Sequence, residues 1–415
     1  MRIQRGMVRL SLRPTAPNFS SPPVSRACRS RGWINAVLPT SGIGRVVRPA
    51  FAATAMLLMA IHSTTPDAVA QQDGATEWRI SSVPDVSIGN PQEGFAGDFL
   101  RITGATVLQD GRIIIADQAP RLSVFQADGS HVTSIGRSGQ GPGEFTSIQW
   151  IRSLNGDSVL VWDPVQYRLS TFGPDGSLAA GLTLRGAPPP HVVGRFADGS
   201  LLAWSVVDYP AGATGVYTLT YQLLRLSSSG GVLAEFARVP GGQMYSGGQR
   251  GTRIRGAGHV LRETRVLVDE DRVLVGTGER FEVTVFDGAG DVVVSLESTA
   301  VPMPATPEYV GQVYPPRWAR LLAENLPQGH LLPATRGILV DSEGLVWVEH
   351  HPGDLQRPSR WIVFGATGAV AAEATVPAGL QLLEVGADYV LGVWRDDLDV
   401  ESVRKHALTR GGSTS

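Results

Sequence analysis

Three histidines, His191, His259 and His330, stand at like places in this chain, each just ahead of a strand-like apolar run. Three imidazoles can hold Zn²⁺ tetrahedrally and leave the fourth position to water, which the metal converts to a hydroxide nucleophile near neutral pH. That chemistry would be a metal-dependent lyase or hydrolase, with Zn²⁺ or Ca²⁺ as cofactor. The competing reading leaves the three as separate rim histidines and the protein without a cofactor. Glu349 and His351 lie two residues apart, so a strand would place both on one face and His350 on the other, a smaller candidate pair. No Gly-x-Ser-x-Gly elbow is present to support a serine hydrolase.

A second group of residues suits binding rather than bond-making. Trp162, Trp204, Trp347 and Trp394 each fall near the end of a second strand in four different units of the chain. Aromatic rings gathered at a rim stack on sugars, peptides and aromatic ligands, or else they pack between units. Arg265 and Arg336 occupy matching places in two related stretches, Gly258–Val275 and Gly329–Val348. They would attract an anion or pair with the acids nearby.

The elements that carry these residues repeat. LQDGRIIIADQAPRLSVFQADGS over Leu108–Ser130 returns as LNGDSVLVWDPVQYRLSTFGPDGS over Leu154–Ser177, with looser copies at Phe196–Gly230, Val266–Gly288 and Ile338–Gly368. Each copy is a β-meander: apolar strand, Asp-Gly or similar turn, apolar strand, polar loop, third strand. Such an array predicts a propeller. Six meanders span about 102–136, 145–185, 190–240, 257–299, 330–377 and 379–410. The last lacks one strand, and the segment Glu77–Ile88 has the length and alternation to supply it. The expected fold is therefore all-β, a six-bladed β-propeller over 77–410, closed by an N-terminal strand joining the C-terminal blade. Closure leaves no open sheet edge to pair with other chains. Asp208–Val216 reads as a longer hairpin loop, and Pro307–Asn325 as including one helix, opened by Pro315-Pro316, that covers an edge or lids the opening.

Between the first two meanders runs RSGQGPGEF, Arg137–Phe145. Its glycines at 139, 141 and 143 permit positive φ, Pro142 stiffens the crossing, and Phe145 plugs the gap between blades. No helix or Gly-Lys-Ser/Thr follows, so a phosphate loop is not indicated. Asp163 with Arg168, and Asp117 with Arg121, are expected to pair and pin their hairpins. This string, with the surrounding "IIIAD…RLSVF…DG" grammar, resembles the NHL-type six-bladed propellers, and in particular the bacterial secreted proteins known as six-bladed β-propellers. The ending Val390–Leu408 is similar to the last blade of that group. The resemblance implies a fold and an exported location, and some NHL-type lyases hold a metal in the channel. It implies no settled activity.

Charge and termini narrow the partners. Residues 1–70 hold nine Arg and one acid, Asp67, so the remaining chain carries a net charge of −10. An acidic body disfavours nucleic acid, whose phosphates need a basic face. Residues 1–44 read as a disordered or over-extended N-terminus and 45–70 as a signal peptide. Arg45 and Arg48 form its basic flank, Pro49–Ile61 its apolar run, and Ala68-Val69-Ala70 its cleavage site. The run is shorter than the roughly 20 residues that cross a bilayer, so no stable membrane span is expected after cleavage. The one cysteine, Cys28, falls in the removable part. The expectation is a periplasmic or extracellular binding propeller that recognises a protein, peptide or glycan surface at one face of the ring.

Overall fold

The computed structural model describes residues 76–89, 99, 101–186, 189–210, 212–247, 252–255, 259–396 and 400–411. The expected N-terminal extension and signal peptide lie outside the described residues.

The Asp-Gly-Ser turns show how the repeat is written into local structure. Asp128 Oδ1 accepts from the Ser130 amide at 2.9 Å and its hydroxyl at 2.7 Å. Asp175 repeats this with Ser177, and Asp198 with Ser200. The carboxylate closes the turn on its own backbone while glycine supplies the left-handed residue: φ is +86° at Gly129 and +78° at Gly176. Strands of alternating or continuous apolar residues flank each turn and pair antiparallel.

Two strands precede the repeats, β1 (Thr76–Ile80) and β2 (Val86–Ile88). The first blade holds β3 (Ile102–Val107), β4 (Ile113–Asp117), β5 (Leu122–Phe125) and β6 (His131–Ile135). The second holds β7 (Trp150–Leu154), β8 (Ser158–Asp163), β9 (Arg168–Phe172) and β10 (Leu178–Thr183). The third has five strands: β11 (His191–Arg195), β12 (Leu201–Asp208), β13 (Gly215–Leu226), β14 (Val232–Gly247) and β15 (Thr252–Arg255). The fourth holds β16 (Arg265–Asp269), β17 (Arg272–Gly276), β18 (Glu282–Phe286) and β19 (Val292–Glu297). Helices α1 (Pro307–Val313) and α2 (Pro316–Asn325) follow. The fifth blade is β20 (Thr335–Val340), β21 (Val346–His350), β22 (Ser359–Phe364) and β23 (Val370–Val376). The sixth is β24 (Leu380–Val385), β25 (Tyr389–Arg395) and β26 (Glu401–Thr409).

The inner strands β3, β7, β11, β16, β20 and β24 run side by side around a channel, each in the same direction. We call the end where they begin the upper face. A buried apolar cluster fills each gap between blades. Phe145, Phe172, Ile114 and Val161 join the first and second blades, and Leu391, Val393, Ile113 and Phe125 join the sixth to the first. Clusters of the same kind bind second to third, third to fourth, fourth to fifth and fifth to sixth. Burial of whole Phe, Trp and Leu side chains, about 1.5–3 kcal/mol each, is what holds neighbouring blades together.

The protein is thus an all-β, six-bladed propeller, and its N-terminal strands close it. In β2, Val86 to Ile88 pair antiparallel with Lys405 to Val403 of β26, the missing fourth strand of the last blade. The pairing is richer than the sequence implied. Ahead of β2, Thr76 to Arg79 of β1 pair in parallel with Ala372 to Thr375 of β23, while Arg79 and Ile80 also face Thr409 and Leu408. The fifth and sixth blades therefore share one continuous sheet through β1.

One further expectation is extended and two are revised. The expected helix opens at Pro316 as α2, and a second helix, α1, precedes it; Pro315 and Pro316 have no amide hydrogens and hold Tyr314 extended between the two at φ −115° and ψ 145°. In the crossing, Gly143 takes φ +73°, but Gly141 does not use the left-handed region; its amide instead donates to Glu144 Oε2 at 2.8 Å. Asp163 does not pair with Arg168. Its carboxylate accepts from the amides of Thr146, Val165 and Gln166, and the Arg168 guanidinium donates to the Gln140 and Glu144 carbonyls of the crossing. Phe145 fills the gap between blades as expected, fully buried and 5.7 Å from the Phe172 ring.

Candidate functional site

The rim tryptophans separate by register. Trp162, Trp204 and Trp394 sit opposite Trp150, His191 and Leu380, the first residues of their inner strands, so all three stand at the upper face. Trp347 does not belong with them. It sits opposite Leu339, near the far end of β20, where it is fully buried against Trp78 and Trp361 and donates to Asp341 at 2.9 Å. The rim position in the fifth blade is His350, opposite Thr335, stacked on Phe281 at 6.1 Å. Trp162 is at the right level but fully buried in the cluster between the second and third blades. Both are packing residues, because a ring with no accessible face has none to offer a ligand. Trp204 and Trp394 are half-buried. Trp204 lies between His191 at 4.6 Å and Tyr221 at 4.4 Å, nearly parallel to both, and the Arg404 guanidinium covers Trp394 at 3.7 Å.

Around Trp204 the third blade outgrows the others. β13 and β14 continue past the end of β12, where Val216 pairs with Tyr245 and Tyr217 with Met244, and β15 adds to the β14 side. This flap meets α1 and α2 over a core of its own: Tyr245, Ile254, Val260, Leu261, Tyr309, Val310, Leu322 and Leu332. Thr306 caps α1, accepting from the Tyr309 amide at 3.2 Å. Flap and helices together form a cap over the segments that lead into β16 and β20. Tyr209 and Val207, at 44% and 43% exposure, remain open on its outer side, with the Tyr209 ring edge-on to Tyr217.

Beneath the cap lies a buried polar cluster. Arg336, second in β20, donates two hydrogen bonds to Glu349 at 3.0 and 2.7 Å, with the Glu349 side chain almost wholly buried. Burial opposes the Arg336 charge, yet the adjacent carboxylate wins and raises its pKa. Gly337 leaves the room, since a Cβ there would meet Glu349 Oε2 at 2.9 Å. His351 Nε2 lies 2.8 Å from the His259 carbonyl and 3.1 Å from the Tyr309 hydroxyl, and its Nδ1 accepts from the Gly353 amide at 3.1 Å. Burial pushes His351 down to about 4 and His259 down to about 3, the latter reinforced by the charges of Arg336, Arg265 and Arg395. Both imidazoles are therefore neutral at pH 7.

The histidine triad does not assemble. His191 stacks on Trp204, His330 donates from Nε2 to the Val260 carbonyl at 3.0 Å, and His259 is half-buried, its carbonyl against His351. Among the described residues no three His, Cys, Asp or Glu side chains are grouped to hold a metal ion. Glu349 and His351 also fail as a pair, since Glu349 is taken by Arg336 and both His351 ring nitrogens are engaged. Arg336 and Arg265 pair with acids, Arg265 with Glu263 at 3.4 Å.

Sequence reasoning missed the interior of the channel. At the lower end, where the inner strands finish, a cavity of about 370 Å³ is lined by β3, β7, β16, β20 and β24. Arg152 and Glu384 enter it from β7 and β24. An ionisable residue inside an innermost strand was the available signal.

Comparison with known proteins agrees with this architecture. Residues 101–179, covering most of the first two blades, match the DUF5128 family, described as a 6-bladed beta-propeller. No curated protein sequence matches the chain. Similar solved structures include a candidate exported protein of Bacteroides fragilis, at 13% identity and TM-score 0.47, covering 81% of this chain and 99% of that one. A member of the duf4221 family from Bacteroides vulgatus has 10% identity and TM-score 0.45, over 81% and 98% of the two chains. Virginiamycin B lyase from Staphylococcus aureus has 10% identity and TM-score 0.41, over 80% and 99%. The chain is a six-bladed β-propeller whose opening blades carry the sequence pattern of the 6-bladed beta-propeller family.

Proposed function

We propose that this propeller is an exported, non-enzymatic binding module that holds an extended peptide or a segment of a protein surface at its upper face, against the outer side of the cap. One observation carries the reading. The third blade projects a flap beside which Tyr209 and Val207 stand exposed, with the Tyr209 ring edge-on to Tyr217. Aromatic side chains on rigid strands offer large contact area at small entropic cost. The flap is braced from behind by its shared core with the helices, so the surface is pre-organised. An acidic body fits a protein or peptide partner better than a nucleic acid. The basic and apolar segment over 45–70 supports export.

The test uses the chain from Gln71 onward as bait in extracts of the native cell envelope. A partner retained by this protein and lost by a Val207→Ser, Tyr209→Ser double variant with an unchanged circular dichroism spectrum supports the reading. Equal retention by the double variant, or no retained partner, refutes it.

A further inference from the structure

The lower cavity lies at the opposite end of the channel from the cap and has a different chemistry. Its wall is mixed polar and apolar: Ala105, Val107, Ile151 and Leu383 beside Thr106, Ser153, Arg152 and Glu384. At about 30 Å³ per water, its volume of about 370 Å³ equals roughly a dozen waters, enough for a small organic molecule.

Arg152 is the unusual member. It reaches from the second blade past the third to donate to the Val268 carbonyl of the fourth, at 2.6 Å. Gly194 borders this crossing, where a Cβ would press on Val268 at 3.1 Å. Burial weakens the hold of Arg152 on its proton, and the charges of Asp269 and Glu384 oppose that effect. The residue is nonetheless only half-buried, and it lines the cavity. A guanidinium has five N–H donors, and the Val268 carbonyl occupies one.

The acids around the cavity are already satisfied. Glu384 accepts from the Thr106 hydroxyl at 2.5 Å, the Tyr389 hydroxyl at 2.6 Å and the Val107 amide at 3.2 Å. Asp269 pairs with Arg272 at 2.5 Å. Asp341 pairs with Arg410 at 3.0 Å and accepts from Trp347. The donor capacity left over therefore belongs to a cation, and what it lacks is an acceptor.

We propose that the lower cavity is a binding site for a small organic carboxylate, its two oxygens taken by Arg152 and its remainder lying against Ile151, Leu383 and the Thr106–Ser153 pair. A carboxylate matches the planar fork of the guanidinium with two parallel charge-assisted hydrogen bonds, which a neutral ligand cannot do. The site is independent of the cap, so its failure and that of the peptide-binding reading are separate results.

The probe is sodium pyruvate, titrated by calorimetry into the chain from Gln71 onward, with methylamine hydrochloride at equal concentration as the cationic control. Saturable one-to-one pyruvate binding with no methylamine response is expected. Arg152→Gln should weaken it by about tenfold or more, the loss of one charge-assisted pair. Because Arg152 also anchors Val268, Arg152→Lys serves as the second variant: it keeps the charge and the anchor but not the fork, and should bind pyruvate with intermediate affinity. No pyruvate binding at tens of millimolar, equal binding in all three proteins, or a response to methylamine instead, would overturn the proposal.

Discussion

Arg336 and Glu349 show what a single residue pair does here. Each neutralises a charge that the cap has removed from water, so the pair is worth little as a gain and much as a loss. We expect Arg336→Met to destabilise the protein by about 3–5 kcal/mol, because it strands a buried carboxylate, and the double variant Arg336→Met, Glu349→Leu to recover most of that. Urea unfolding of the three proteins checks this; additive losses would show that the two side chains are not coupled. Some residue roles were legible in sequence and others were not. Phe145 could be read as an interblade plug because the glycine-rich string beside it has only one structural use. Trp347 could not be separated from Trp394, since a strand's register is set by its partner and a tryptophan looks the same at either end. His351 was read as a possible ligand because nothing local shows that the carbonyl of His259, far back in the sequence, occupies its Nε2.

At the scale of elements, the repeat places the first, second, fifth and sixth blades to within a few residues, because turn and strand preferences are local, whereas the third blade runs on to Arg255 and the fourth opens only at Arg265. The flap of the third blade and the parallel addition of β1 to β23 escaped it, for both depend on pairings between distant segments. The same pairings say where the ring is weakest. β1 and β2 together cover an edge of β23 and an edge of β26. Removing residues up to 88 should leave both edges bare, lower the melting temperature by about 10 °C or more and cause concentration-dependent aggregation, since unpaired edges recruit other strands. Thermal melts with size-exclusion chromatography decide it; a monomeric truncated protein with an unchanged melt would mean that the interblade clusters alone seal the ring.

For the whole molecule, the buried titratable groups set a pH dependence. His259 and His351 are held near 3 and 4 in the folded chain against 6.5 in the open chain. Between those values the unfolded state binds the extra protons, so stability is full above pH 6.5 and declines as pH falls toward 4. Glu384, whose pKa burial raises above 4.5, acts oppositely and costs stability as pH rises through that window. Each group contributes at most about 1.4 kcal/mol per pH unit, and two histidines outweigh one carboxyl. Unfolding midpoints in urea should therefore be lower at pH 5.5 than at pH 7; an equal or higher midpoint at pH 5.5 would mean that the two imidazoles are not held neutral in the folded state.

The double engagement of β1 also orders events in time. Its partners, β23 and β26, leave the ribosome about three hundred residues after it, which at roughly 5–20 residues per second is tens of seconds. Throughout that interval the earliest-made strand has nowhere to dock. The circle can be completed only once β26 has been made, and until then β1 stays available to other strands.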